Sequence, residues 1–375
     1  MRRTIIFLYC LVIIAAIGCK EPYEPRIISS SDSHLVVEGI LNAGQGPTTI
    51  SLSRTYKLDD TARIQYENNA QVIVEGKDNT ARQLTMNGNG AYFSPGLNLT
   101  INQEYRLRIR TANGKEYLSD YVVARATPAI DSLEFEQNEK GVQVYVNTHD
   151  NSDNTRYYLW NYDETWEIHT YFYSNFKYEN GIVLPRTPSE SISTCWKYGF
   201  STNIFLGSSA SLQSDIIRKA PLNLIPNGDE RLAVRYSILL RQYALDKSSY
   251  QFYEMMKKNT ESPGTIFDPQ PSEIKGNIHC TSNPGELVIG YITASEITEK
   301  RFFISKDQLQ GWFFFQDCEQ QDIPNNPDSI SAAYAMGLQI FDALYMPFIV
   351  RYYVAGAPCV DCTRRGGSLI RPSYW

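Results

Sequence analysis

Between His34 and Thr127 the apolar residues recur at every second position, in short runs. His34 to Ile40, Thr48 to Ser53 and Ala70 to Glu75 are β-branched stretches separated by Gly, Pro, Asn and Asp. The clearest run is Glu104 to Arg110, where Tyr105, Leu107 and Ile109 alternate with Arg106, Arg108 and Arg110. A period of two sends one set of side chains to a core and the other to water. Asn113-Gly114 then reads as a two-residue hairpin turn, a type that needs positive φ at both central positions. Tyr117 to Val123 is the returning strand. Strands of this length, with turn signals about every ten residues, predict an Ig-like antiparallel β-sandwich over residues 34–127. Thr127-Pro128 marks its boundary.

Residues 128–375 keep the period of two but become more aromatic. Val142, Val144 and Val146 alternate with Gln143, Tyr145 and Asn147. Tyr158, Trp160 and Tyr162 then share one face of a long strand expected to run to about Tyr173. Further strands are expected at Leu232 to Tyr243, Leu287 to Ile292, Arg301 to Ile304 and Phe348 to Val354. The best helical spacing is Asp246 to Lys258, with Tyr250, Phe252, Tyr253 and Met256 forming an apolar face and Lys257 and Lys258 suiting the C-terminal end of the dipole. No fixed repeat is visible, which argues against a solenoid or propeller. The fold class is therefore mainly β: an N-terminal Ig-like sandwich followed by a larger, aromatic-rich β domain with one or two short helices.

The first 18 residues break this pattern. Arg2 and Arg3 precede an apolar run from Ile5 to Ile17 that ends at Gly18-Cys19. This is the layout of an export signal, and the run is too short to span a bilayer. Cys19 after Ala16-Ile17-Gly18 resembles a bacterial lipobox, so Cys19 is the expected lipidation site. Residues 19–33 then form an anchor and flexible tether, too poor in apolar residues to fold alone. Lys20-Glu21 and Glu24 behind the Cys resemble the signal that sends lipoproteins to the outer face of the outer membrane.

Composition narrows the classes further. The 375 residues carry a formal charge of −6, and loss of residues 1–18, with Arg2 and Arg3, takes it to −8. An acidic chain with no basic stripe is unsuited to nucleic acid. Aromatics are abundant, with 26 Tyr, 16 Phe and 5 Trp against 4 His.

Five cysteines remain beyond Cys19: Cys195, Cys280, Cys318, Cys359 and Cys362. In an exported protein their default fate is disulfide, and an odd number leaves at least one free or paired outside the chain. Cys359-Val360-Asp361-Cys362 has redox spacing but no following helix pattern, which favours a structural staple. The sequence lacks the G-x-S-x-G, H-E-x-x-H and phosphate-loop patterns. Asp163, Glu164 and Glu167 lie near Trp160 and Trp166, as glycosidase carboxylates would, yet Asp163 and Glu164 point to opposite faces of a strand. Asp150, Asn151, Asp153 and Asn154 suit either calcium or a solvated turn. No catalytic residue, cofactor or metal ligand is assigned. Tyr158, Trp160, Tyr162 and Trp166 are the candidate ligand or partner aromatics, because Tyr and Trp offer broad contact area with a polar handle.

Several stretches together resemble one family. They are LVVEGILNAG with TTISLSRT, TANGKEYLSD, TRYYLWNYDETWEI, GTIFDPQPSEIKGNIHC, NPGELVIGYITAS with KRFFI, and CVDCTRRGGSLIRPSYW. By these the chain resembles the Bacteroidota lipoprotein family known as domain of unknown function 4249. The resemblance implies an outer-membrane location and a TonB-dependent receptor as partner. The expectation is a surface-exposed outer-membrane lipoprotein, an accessory or ligand-binding partner of a TonB-dependent transporter in nutrient uptake. The alternatives are a surface glycan-degrading enzyme using Asp163 or Glu164, and a structural or adhesion lipoprotein.

Overall fold

The computed structural model describes residues 33–56, 64–261 and 275–375. The expected export signal, Cys19 and all but the last residue of the expected tether lie outside the described residues. The rest is mainly β, as the alternating pattern requires.

In the first region the period of two is obeyed closely. Strand Glu104–Arg110 buries Tyr105, Leu107 and Ile109, while Arg106 and Arg108 reach Glu75 on the neighbouring strand Gln71–Gly76 at 2.8 Å each. The hairpin after it differs from expectation. Gly114 alone takes positive φ, at 84°, and Asn113 does not. The Asn113 side chain instead accepts from the Thr111 hydroxyl at 2.6 Å and the Lys115 amide at 3.2 Å. The connection is thus a three-residue loop closed by one left-handed glycine. The return splits into Glu116–Ser119 and Val122–Val123, both paired with Glu104–Arg110.

The first region does not close on its own strands. Ile278–Cys280 pairs antiparallel with Glu116–Ser119 at one end of an eleven-stranded sheet, and Val288–Gly290 pairs parallel with Leu35–Glu38 at the other. Asn277 ties these late strands together: its side chain donates to the carbonyl of Ile292 and accepts from its amide, each at 2.8 Å. The sheet curls around one core of Leu35, Leu52, Val72, Leu107, Tyr117 and their neighbours, completed by Ile278, Val288 and Ile292.

The second region is two sheets face to face. Strands Ile130–Asn138, Gly141–His149 and Ile216–Pro226 make one. Tyr157–His169, Thr194–Phe200, Phe205–Ser208, Arg235–Leu245 and Ile297–Ser305 make the other. Val142, Val144 and Val146 pack against Tyr158, Trp160, Tyr236, Ile238 and Leu240 between them. The long strand ends at His169 rather than near Tyr173, because the chain turns there to bond Phe172 to the carbonyl of Cys359. The expected start at Leu232 belongs to a single turn, Glu230–Leu232, capped by the Asp229 side chain on the amide of Arg231.

Helix α1, Lys247–Glu261, matches the expected segment; Asp246 accepts from the amide of Ser249 at 2.7 Å and caps it. Helix α2, Pro327–Ala335, was not anticipated. Asn326 caps it and proline opens it, a strong start signal within a short pattern. It packs with strands Gln321–Pro324, Leu338–Met346 and Phe348–Gly356 in a smaller cluster.

The thiols resolve into Cys195–Cys362 and Cys318–Cys359, with Cys280 buried and free. The two cysteines of the CxxC spacing therefore serve different bridges. Cys359 sits in a short helical turn, Ala357–Val360, opened by Pro358 in its first positions. From Cys362 the last residues lie along the sheet: Tyr374 shares a 2.8 Å hydrogen bond with Thr165, and the Trp375 indole donates to Glu167 at 2.8 Å.

His34–Trp375 form one compact unit. Thr127, where a boundary was expected, is buried, with its hydroxyl 2.7 Å from that of Ser295 and bonded to the amide of Ala244.

Candidate functional site

A cleft of about 890 Å³ opens where the curled sheet, helix α1 and the larger sheet of the second region meet. Its floor follows from strand register. Tyr157–His169, Arg235–Leu245 and Ile297–Ser305 lie side by side, so residues on one face align in cross-strand rows. One row is Leu159, Tyr243 and Ile297; the next is Asn161, Arg241 and Glu299. The first row is apolar and the second polar, an adjacency that gives a mixed floor. Phe252, Tyr253 and Met256 of α1 form one wall, and Glu38, Ile289 and Tyr291 from the curled sheet another. Gly39 and Gly290 let the backbones at this rim approach. Both hold φ near +140°, and a Cβ would meet Thr49 O at 2.5 Å in one case and Val37 O at 2.2 Å in the other.

The polar row is organised around Arg241. Its Nη2 donates to Asp163 at 2.5 Å and its Nε to Glu299 at 2.9 Å. These carboxylates hold the guanidinium firmly charged, the Asp163 bond most of all. Asn161 bonds to the Tyr243 hydroxyl at 3.2 Å. The hydroxyl of Tyr253 lies within electrostatic reach of Tyr243, Tyr291 and Glu38; burial first, then these neighbours, push its ionisation upward. Burial also raises Tyr243 and Tyr291, so all three phenols stay neutral donors.

The aromatics singled out from sequence lie elsewhere. Tyr158, Trp160 and Tyr162 are buried between the two sheets, on the opposite face of the same strand, and Trp166 packs partly buried at the edge of that core. Two of them spend their polar atoms within the protein: the Tyr158 hydroxyl donates to Asp215 and the Trp160 indole to Gln242 at 2.8 Å. The Trp166 indole nitrogen is buried without a partner. Tyr158, Trp160 and Tyr162 are thus core residues, with Trp166 at the edge of that core. The intervening positions Leu159 and Asn161 reach the cleft, and the period of two that grouped Tyr158 with Trp160 already separated these two from them.

The acidic trio is dispersed, as opposite strand faces require. Asp163 goes to Arg241. Glu164 is buried and accepts from the Tyr236 hydroxyl at 2.9 Å and from Asn223 and Arg231 at 3.2 Å each. Glu167 pairs with His169 at 2.6 Å and with Trp375. Glu164, one of the two carboxylates considered for glycan hydrolysis, is committed to the interior. Asp150 spends its carboxylate on its own turn, accepting from the amides of Ser152, Asn154 and Thr155. Among the described residues no group of three or more His, Cys, Asp or Glu is placed to hold a metal ion. His149 pairs with Asp131, and none of the four histidines lines the cleft.

A family described as domain of unknown function (DUF4249) matches residues 20–301. The chain belongs to that family. The DUF4249 match spans the curled sheet and the cleft floor as far as residue 301, so every residue lining the cleft falls within it. Three of the four bridged cysteines, Cys318, Cys359 and Cys362, fall beyond it. No curated protein matches the chain. Among the described residues no helix is long and apolar enough to cross a membrane.

Proposed function

We propose that this DUF4249 chain is a surface-exposed outer-membrane lipoprotein that binds a ligand in its cleft and works as the accessory partner of a TonB-dependent transporter in nutrient uptake. The cleft carries this reading. Its volume lies in the range of ligand sites, roughly 300–1,000 Å³, and it joins apolar walls to a few convergent polar groups. The signal-like residues 1–18, followed by Cys19, supply the supporting argument for the membrane. Two acyl chains on one residue hold a protein stably, at about 0.8 kcal/mol per buried CH₂.

The test is purification of the full lipoprotein from native outer membrane in mild detergent, followed by mass spectrometry. A stoichiometric TonB-dependent barrel is expected. Recovery of the lipoprotein alone after cross-linking rejects the transporter partnership, and a Cys19→Ala chain that still fractionates with the outer membrane rejects the lipid anchor.

A further inference from the structure

We infer that the cleft takes a neutral, hydroxyl-rich ligand: a short carbohydrate chain seated on the Asn161, Arg241 and Glu299 row. This rests on the proposed reading of the cleft as a ligand site and deepens it by naming the ligand's chemistry. Charge argues first. Among the described residues Arg241 is the basic side chain that lines the cleft, and two of its nitrogens already serve Asp163 and Glu299. A phosphate or carboxylate ligand would need that fork of donors, and it would meet Glu38 and Glu299 as like charges. Anionic ligands are thus disfavoured twice.

Desolvation argues second. A wholly apolar ligand would cover Asn161, Arg241, Glu299 and the Tyr253 hydroxyl without returning hydrogen bonds, and such unpaired groups are costly. A cationic ligand would find Glu299 already paired with Arg241 and would meet that guanidinium as a like charge. A sugar meets all these conditions together. Its hydroxyls both donate and accept, matching the amide of Asn161, the carboxylate of Glu299 and the neutral phenols of Tyr253 and Tyr291. Its C–H faces suit the tyrosine rings and the apolar row beside them.

The full lipoprotein in detergent is applied to a printed array of neutral glycans, anionic glycans and basic peptides, and the neutral oligosaccharide bound best is then titrated calorimetrically. Binding to neutral glycans is expected. Asn161→Ala and Tyr253→Phe should each weaken it about tenfold, while Phe200→Ala, an exposed residue outside the cleft, leaves it unchanged. Tyr253→Phe removes only a hydroxyl, so it preserves the fold, and its melting temperature checks this. Binding confined to anionic glycans or basic peptides overturns the inference, as does absence of binding to any probe, or neutral-glycan affinity that both cleft substitutions leave intact. A chain that co-purifies with a transporter yet binds no neutral glycan loses this inference alone. One that binds glycan through the cleft without a transporter loses only the partnership.

Discussion

The two β regions of this chain build their interiors differently. The curled sheet encloses mostly aliphatic residues, with Tyr92, Tyr105 and Tyr117 buried among them, and its charged pairs, from the partly exposed Glu75 with Arg106 and Arg108 to the more enclosed Arg54 with Glu67, stand outside that core. The second region packs Tyr158, Trp160, Tyr236 and Trp312 together and buries Glu164, Asn223, Gln242 and Asp215 among them. Large aromatics bring polar atoms inside, and each such atom needs a partner. An aliphatic core is specified chiefly by volume and alternation, whereas an aromatic one is specified also by a hydrogen-bond map.

The largest test of this difference is Trp160→Ala. It removes a fully buried ring and the donor to Gln242, so a loss of about 3–5 kcal/mol is expected in chemical denaturation. The sharper comparison is with a substitution of similar shape. Leu107→Met in the curled sheet should cost under about 1.5 kcal/mol. Trp160→Phe, which strands the Gln242 carbonyl, should cost more than Leu107→Met, and equal losses would remove the distinction between the cores.

Charged pairs give the next contrast. Glu164→Leu leaves Arg231, already shared with Asp229, facing a buried site that has lost its second carboxylate, and should cost about 3 kcal/mol. Glu75→Ala, in a partly exposed pair of the first region, should cost at most about 1 kcal/mol. A result in the reverse order would show that the buried network contributes little.

Of these side-chain contrasts the smallest is in pH. The hydrogen bond to Asp131 raises the ionisation of His149 above its ordinary value. A raised imidazole stabilises the fold fully below its unfolded value near 6.5, and that contribution fades as pH rises through the folded value. Asp131→Asn should move the His149 titration, followed by NMR, downward. An unchanged midpoint would show that the pair does not form in solution.

Reduction probes the ties between elements. The Cys318–Cys359 bridge closes 41 residues and should contribute about 4 kcal/mol by loop entropy. Cys318→Ser with Cys359→Ser should lower the melting temperature measurably, whereas Cys280→Ser, which breaks no bridge, should shift it little.

Local pattern carried much of this protein. Alternation alone located the strand Glu104–Arg110 and assigned its faces, because each residue's environment repeats with the pleat. Helix α1 was legible from its apolar spacing, with Asp246 standing directly before it. The odd number of cysteines required one without a bridge in the chain. Contacts between distant segments were decided only by the tertiary structure. The return of Ile278–Cys280 and Val288–Gly290 to the first sheet pairs strands more than 150 residues apart with no local signal. The cysteine partners depend on where Val354 to Trp375 comes to rest. Above all, alternation divided Tyr157–His169 into two faces but did not say which would be covered. Both faces carry apolar and polar residues, and only the packing of a second sheet on the Tyr158 and Trp160 side left Asn161 and the Arg241 row to line a cleft.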